Sequence, residues 1–131
     1  MILAVDASAI VAIGLDEPER ATIEEQLLQA QKAYATPTNL TEAGLALVLR
    51  HGRFTPSDYE TWLARLGIAE HPIGGAAALR AYLQYGKGVH RAALSLGDCY
   101  AYALSKHLNA PLLFKGEDFI FTDVVPALQP T

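Results

Sequence analysis

Ile2 to Val5 is a short apolar run that stops at Asp6, and a longer apolar stretch follows Ser8 from Ala9 to Leu15. Such a pair predicts a buried strand, a turn and a helix, so the chain opens β then α. Pro18 stands at a good first helical position behind Asp16 and Glu17, and Ile23, Leu27 and Leu28 then recur at helical spacing among polar neighbours. Tyr34 to Thr36 has room only for a strand before Pro37. Asn39 is placed to cap a helix running to about His51, where Gly52 closes it. Thr55, Pro56 and Asp58 supply cap, N1 proline and first-turn acid for a helix ending near Gly67. A short strand is expected within Ile68 to Ile73, a helix from Ala76 to Tyr85, and a loop at Gly86-Lys87-Gly88. Ser95 caps a long helix from Leu96 to Leu108. Pro111 to Phe114 then reads as a buried strand, Lys115 to Asp118 as a turn, and Asp123 to Val125 as a last strand. Strands that alternate with helices pair in parallel through right-handed crossovers, which predicts a three-layer α/β/α sandwich around a short central parallel sheet, residues 1–131 forming one domain.

Composition narrows what such a fold can do. The chain has 131 residues, of which 51% are hydrophobic and 18% charged. That balance excludes a disordered chain, and it suggests more apolar surface than a small monomer hides, hence a partner or a dimer. The apolar runs fall well short of the roughly 20 residues that cross a bilayer, and the N-terminus lacks a basic leader, so a cytoplasmic protein without a membrane role is expected. One cysteine, Cys99, excludes an internal disulfide and a thiolate zinc site. A net charge of −4 gives no general attraction to nucleic acid, so any such role must be local.

Four acids fall on the sheet edge shared by the carboxyl ends of strands and the amino ends of helices. Asp6 ends the first strand, Glu42 lies early in the helix after the second, Asp98 in the first turn of the long helix, and Asp118 after the fourth strand. Glu42 is the lone charge between Asn39 and Leu49, with Leu45, Ala46 and Leu49 around it on the helical wheel, which predicts a carboxylate shielded from solvent. Each acid also has a plain structural reading. Asn39 with Glu42, and Ser95 with Asp98, have capping-box spacing, Asp6 suits a helix cap, and Asp118 suits a turn. Four on one edge favours function. Gathered carboxylates raise one another's pKa unless a cation neutralises them, and hard oxygen donors suit magnesium or manganese. Such an ion activates water and holds phosphate oxygens, which suits phosphodiester hydrolysis. Lys87, His90, Arg91 and Lys115 lie near the same loops as candidate contacts to a nucleic-acid backbone. Trp62 and the tyrosines at 82, 85, 100 and 102 are expected to pack rather than stack on bases.

The blocks Val5-Asp6-Ala7-Ser8, Thr41-Glu42-Ala43, Leu96-Gly97-Asp98-Cys99-Tyr100-Ala101-Tyr102-Ala103, Pro111 to Phe119 and Thr122-Asp123 together resemble the PIN-domain ribonucleases, in particular the VapC-type toxins of bacterial toxin–antitoxin pairs. The resemblance spans nearly the whole chain. It implies a magnesium- or manganese-dependent endoribonuclease, with Asp6, Glu42, Asp98 and Asp118 as metal-binding catalytic acids, Ser8 as an orienting hydroxyl and Asp123 as an auxiliary acid. It further implies a homodimer silenced by a VapB-type antitoxin. Arg91 follows His90 where close relatives would carry proline, a departure that concerns the shape of that loop. Two other readings compete. A carboxylate-nucleophile phosphohydrolase would use Asp6 to attack phosphorus, but Ser8 stands where its second aspartate belongs. A non-catalytic binding module would have no reason to keep four mutually repelling acids.

Overall fold

The computed structural model describes residues 1–128. Its elements are β1 (Ile2–Val5), α1 (Ala7–Gly14), α2 (Arg20–Gln29), β2 (Lys32–Ala35), α3 (Pro37–Gly44), α4 (Pro56–Arg65), β3 (Ile68–Glu70), α5 (Gly75–Tyr85), α6 (Leu96–Leu108) and β4 (Leu112–Leu113). The strands form one sheet in the order β3-β2-β1-β4, and every pairing is parallel.

The period-2 alternation of strand side chains builds the layers. Leu3 and Val5 of β1 and Leu113 of β4 join one buried cluster with Ile10 and Ile13 of α1, Ile23 and Leu27 of α2, and Leu63 of α4. Ala4 and Leu112, the intervening residues, join a second cluster with Ala81 of α5, Cys99 and Leu104 of α6, and Phe119. The sheet is therefore covered on both faces, as expected for parallel strands. From β1 the chain winds outward to β2 and β3, then returns through α6 to place β4 on the other side of β1. The carboxyl ends of β1 and β4 flank this reversal, the usual place for a ligand crevice in an open α/β sheet.

Three sequence expectations are corrected. The helix after β2 is capped by Thr36, whose hydroxyl accepts from the Asn39 amide at 3.1 Å, with Pro37 at the first turn. Threonine followed by proline is the stronger start signal, and it puts Asn39 inside the helix rather than at its cap. This helix does not run on unchanged to His51: after Gly44 it becomes a π-helical stretch, Leu45–Arg50. The last strand expected at Asp123 to Val125 is reduced to a single bridge between Leu112 and Pro126, held by the Leu112 amide donating to the Val125 carbonyl. The Ala127 amide closes the bridge by donating to the Leu112 carbonyl, and among the described residues the pairing goes no further.

Candidate active site at the carboxyl edge of the sheet

Asp6 leaves β1 and caps α1. Its Oδ2 accepts from the Ser8 amide at 3.1 Å and from the Ser8 hydroxyl at 2.6 Å. Ser8 Oγ in turn accepts from the Lys115 amide at 3.0 Å, which ties the end of β1 to the loop after β4. The Asp6 side chain is buried, and that burial raises its pKa from 3.8 to about 7, with the charges of Asp98 and Glu42 adding to the rise. Asp98 is part of a capping box at the start of α6: Ser95 Oγ accepts from the Asp98 amide and Asp98 Oδ2 accepts from the Ser95 amide at 3.0 Å. Lost hydration raises its pKa too, and the Asp118 charge adds to this.

Glu42 does not form the capping box its spacing suggested. Its Oε1 accepts from the Asn39 side-chain amide at 3.1 Å, and a Cβ added at Gly97 would collide with its carboxylate. Nor is the residue shielded as the wheel predicted, since Glu42 is exposed, as are Leu45 and Leu49. Its carboxyl group is nonetheless pressed against the start of α6, where lost hydration raises its pKa with a contribution from Asp98. Asp118 is exposed in the turn after β4.

The structure thus brings Asp6, Glu42 and Asp98 within electrostatic reach of one another, with Asp118 coupled to Asp98. In each of the first three, the scaffold occupies one carboxylate oxygen and the other has no donor among the described residues. The capping and functional readings are compatible, because one oxygen serves each. Among the described residues no three acidic, histidine or cysteine side chains stand close enough together to hold a metal ion as they are. The donor set nonetheless fits a hard divalent ion: oxygens only, one unpartnered on each of three acids, and mutual repulsion that a cation would relieve. A groove of about 740 Å³ between α2 and the 114–128 segment is lined by none of the four acids. Cys99, buried in α6, has its thiol pushed up to about 11, which removes it as a nucleophile.

The remaining expected contacts divide. Asp123 stands apart from the acids, accepting from the Tyr102 hydroxyl at 2.7 Å and from Lys106 Nζ at 3.0 Å, partners one and two turns along α6 from Asp98. Lys115 Nζ is held by Glu17 at 3.0 Å and Glu19 at 3.2 Å, so its charge is turned to α2's approach and not to a substrate. His90 is a loop staple, its Nδ1 accepting from the Ala92 amide and its ring set edgewise on Tyr85. Lys87 and Arg91 are exposed, the Arg91 guanidinium lying 4.3 Å over the Phe121 ring. Trp62 stacks on Phe54 and Tyr102 packs against Tyr85, in keeping with packing roles. Sequence reading missed Asn39 and Gly97 as parts of the site. The available signal was Asn39 placed one helical turn before Glu42.

A model of the PIN domain matches residues 3–124. The chain belongs to the PIN-domain family. It is 37% identical over 131 residues to ribonuclease VapC30 of Mycobacterium tuberculosis, covering 98% of this chain and 100% of that one. It is 38% identical over 125 residues to the ribonuclease VapC of Mycolicibacterium smegmatis, covering 93% and 97% of the two chains. The crystal structure of M. tuberculosis VapC20, described as a sarcin-ricin loop cleaving toxin, superposes with a TM-score of 0.74 over 99% of this chain and 100% of that one. At 17% identity this last likeness concerns the fold. The α/β sandwich read from the sequence is therefore the PIN fold, and the chain sits among the VapC-type ribonucleases, which are in general dependent on divalent metal. No helix among the described residues is long and apolar enough to cross a membrane.

Proposed function

We propose that this PIN domain is the endoribonuclease toxin of a type II toxin–antitoxin pair, and that it hydrolyses RNA phosphodiester bonds with magnesium or manganese held by Asp6, Glu42, Asp98 and Asp118. The observation that carries this reading is the set of three carboxylates on separate elements, each anchored through one oxygen and each with a raised pKa. A bound divalent ion would lower the pKa of an attacking water and neutralise charge on the phosphate. The chain's own residues do the rest. Ser8 fixes the Asp6 carboxylate, and the α6 capping box fixes Asp98 before any ligand arrives, so little ordering is needed on binding. Asp6 must release its proton to serve as a ligand, which links metal affinity to pH. Asp118, in the exposed turn, completes the set at the solvent side.

Lys87 and Arg91, on the loop that leads into α6, supply cationic contacts to the RNA backbone in this reading. The partners are an RNA substrate, a VapB-type antitoxin and a second copy of the chain, and the setting is the cytoplasm. The test is cleavage of structured RNA, single-stranded RNA and single-stranded DNA with manganese or magnesium against chelator, with Asp98→Asn purified identically as the control for contaminants. Metal-dependent RNA cutting that disappears in the mutant supports the reading. Equal cutting by the mutant, or no cutting together with no divalent-metal binding, contradicts it and favours a binding module.

A further inference from the structure

Asn39 is fully buried, and its side chain joins three parts of the molecule. Its Oδ1 accepts from the Thr36 hydroxyl at 2.7 Å. Its Nδ2 donates to Glu42 Oε1 at 3.1 Å and to the Gly97 carbonyl at 3.0 Å, across 58 positions of sequence. Both amide hydrogens and the amide oxygen are thus used, the complete satisfaction that a buried amide requires. The two acceptors belong to different halves of the acidic site: Glu42 is itself one of the acids, and Gly97 immediately precedes Asp98. Gly97 contributes from the other side, because the Glu42 carboxylate occupies the volume a side chain there would need.

From this contact set we infer that Asn39 is a positioning residue for the metal site: with Gly97 it clamps the Glu42 carboxylate against the start of α6 and fixes its separation from Asp98. The inference rests on the divalent-metal nuclease reading given above. Several physical points support it. A glutamate on a helix surface has three rotatable side-chain bonds, and an exposed one ordinarily samples many rotamers. Here one amide hydrogen holds Oε1, which leaves Oε2 as the ligand oxygen, and the second hydrogen holds the backbone of the neighbouring element at the same time. Asn39 and Glu42 both lie on α3, so the bond to the Gly97 carbonyl is the one that ties their shared geometry to α6. Only an amide does this without repelling the carboxylate. Aspartate has the same shape but, ionised, offers no donor, and its charge would oppose that of Glu42. The clamp also explains the glycine before Asp98 within the first turn of a helix, a position where glycine is otherwise unfavourable relative to alanine.

The experiment is a double-mutant cycle on the full chain, reading manganese affinity by calorimetry and kcat and KM on one RNA substrate. Asn39→Ala is expected to weaken manganese binding by about tenfold and to lower kcat by a similar factor with KM nearly unchanged, the usual scale for losing an outer-sphere partner of a ligand. In the Glu42→Gln background the same substitution should have little further effect on either quantity. An equal loss in both backgrounds, or unchanged manganese affinity in Asn39→Ala, overturns the inference. Gly97→Ala, which favours helix and leaves Asn39 in place, covers the case in which Asn39→Ala does not fold, and the same metal loss is expected. A metal-free crystal structure of either variant tests the clamp independently of activity. Glu42 displaced from α6 supports it, and Glu42 unmoved overturns it. If the wild-type protein neither binds manganese nor cuts RNA, the nuclease reading fails, while the structure still reports on the clamp.

Discussion

The two sides of the acidic edge are built differently. Asp6, Glu42 and Asp98 lie on regular elements, and hydrogen bonds from Ser8, Asn39 and Ser95 hold them. The segment after β4, from Lys115 to Asp123, has little regular structure. Its Asp118 is exposed, its Lys115 is turned toward Glu17 and Glu19, and its Asp123 is paired with Tyr102 and Lys106. The first side keeps charge where the fold disfavours it, and three pKa values rise as a result. On the second side Lys115 and Asp123 are paired with charges from other elements, as on an ordinary surface. Raised carboxylates mark the side where a ligand must supply what the protein withholds.

The largest effect that separates the two sides is on activity. Asp98→Asn is expected to abolish metal-dependent cleavage, a loss above about a hundredfold, while Asp123→Asn stays within about twofold, the scale of a partly exposed pair. Parallel losses in a cleavage assay would erase the distinction. Asp6 gives the next largest effect, and its sign follows from its raised pKa. Between pH 3.8 and about 7 the unfolded chain releases this proton while the folded chain retains it. Its contribution to metal-free stability is therefore complete at low pH and is lost as pH rises through that window, by about 4 kcal/mol in all at roughly 1.4 kcal/mol per pH unit. Asp6→Asn can still accept from Ser8, so it should raise the metal-free melting temperature strongly at pH 8 and much less at pH 5. Calorimetric scans at the two pH values check this, and a fall at pH 8 would count against it. Manganese should stabilise the wild type and not the mutant. By the same proton, wild-type manganese affinity should increase by about tenfold per pH unit below pH 7 and level off above it. A flat profile would mean that Asp6 is already ionised. Lys115→Ala gives the smallest effect: KM should change by less than about twofold, as for a surface ion pair. A large rise in KM would return Lys115 to the RNA contacts.

How much of this was legible in the sequence depended on whether the signal was local. β1 and α6 were plain, because an apolar run closed by Asp6 and a capping box at Ser95 specify their own geometry. The convergence of the four acids followed from the βα alternation, since topology places strand ends and helix starts on one edge. Asn39 was misread as a cap because asparagine is a common one, and its actual partners include Gly97, which only the folded chain brings near. Glu42 was expected to be buried by its apolar neighbours, but Leu45 and Leu49 are themselves exposed, and periodicity cannot tell a core face from an uncovered one. Lys115 is a candidate contact because it lies near the loops of the acidic edge, and Asp123 is an auxiliary acid only through the family resemblance. Their charges are answered instead by Glu17, Glu19 and Lys106, from elements distant along the chain.

The most direct test of the central claim is a calorimetric titration of manganese into the wild type and Asp98→Asn at pH 8, followed by RNA cleavage on the same samples. Saturable binding and RNA cutting in the wild type, both lost together in the mutant, is the predicted result. Cutting that survives with metal binding abolished would contradict the account, because the acids at the sheet edge would then not hold the ion on which the reaction depends.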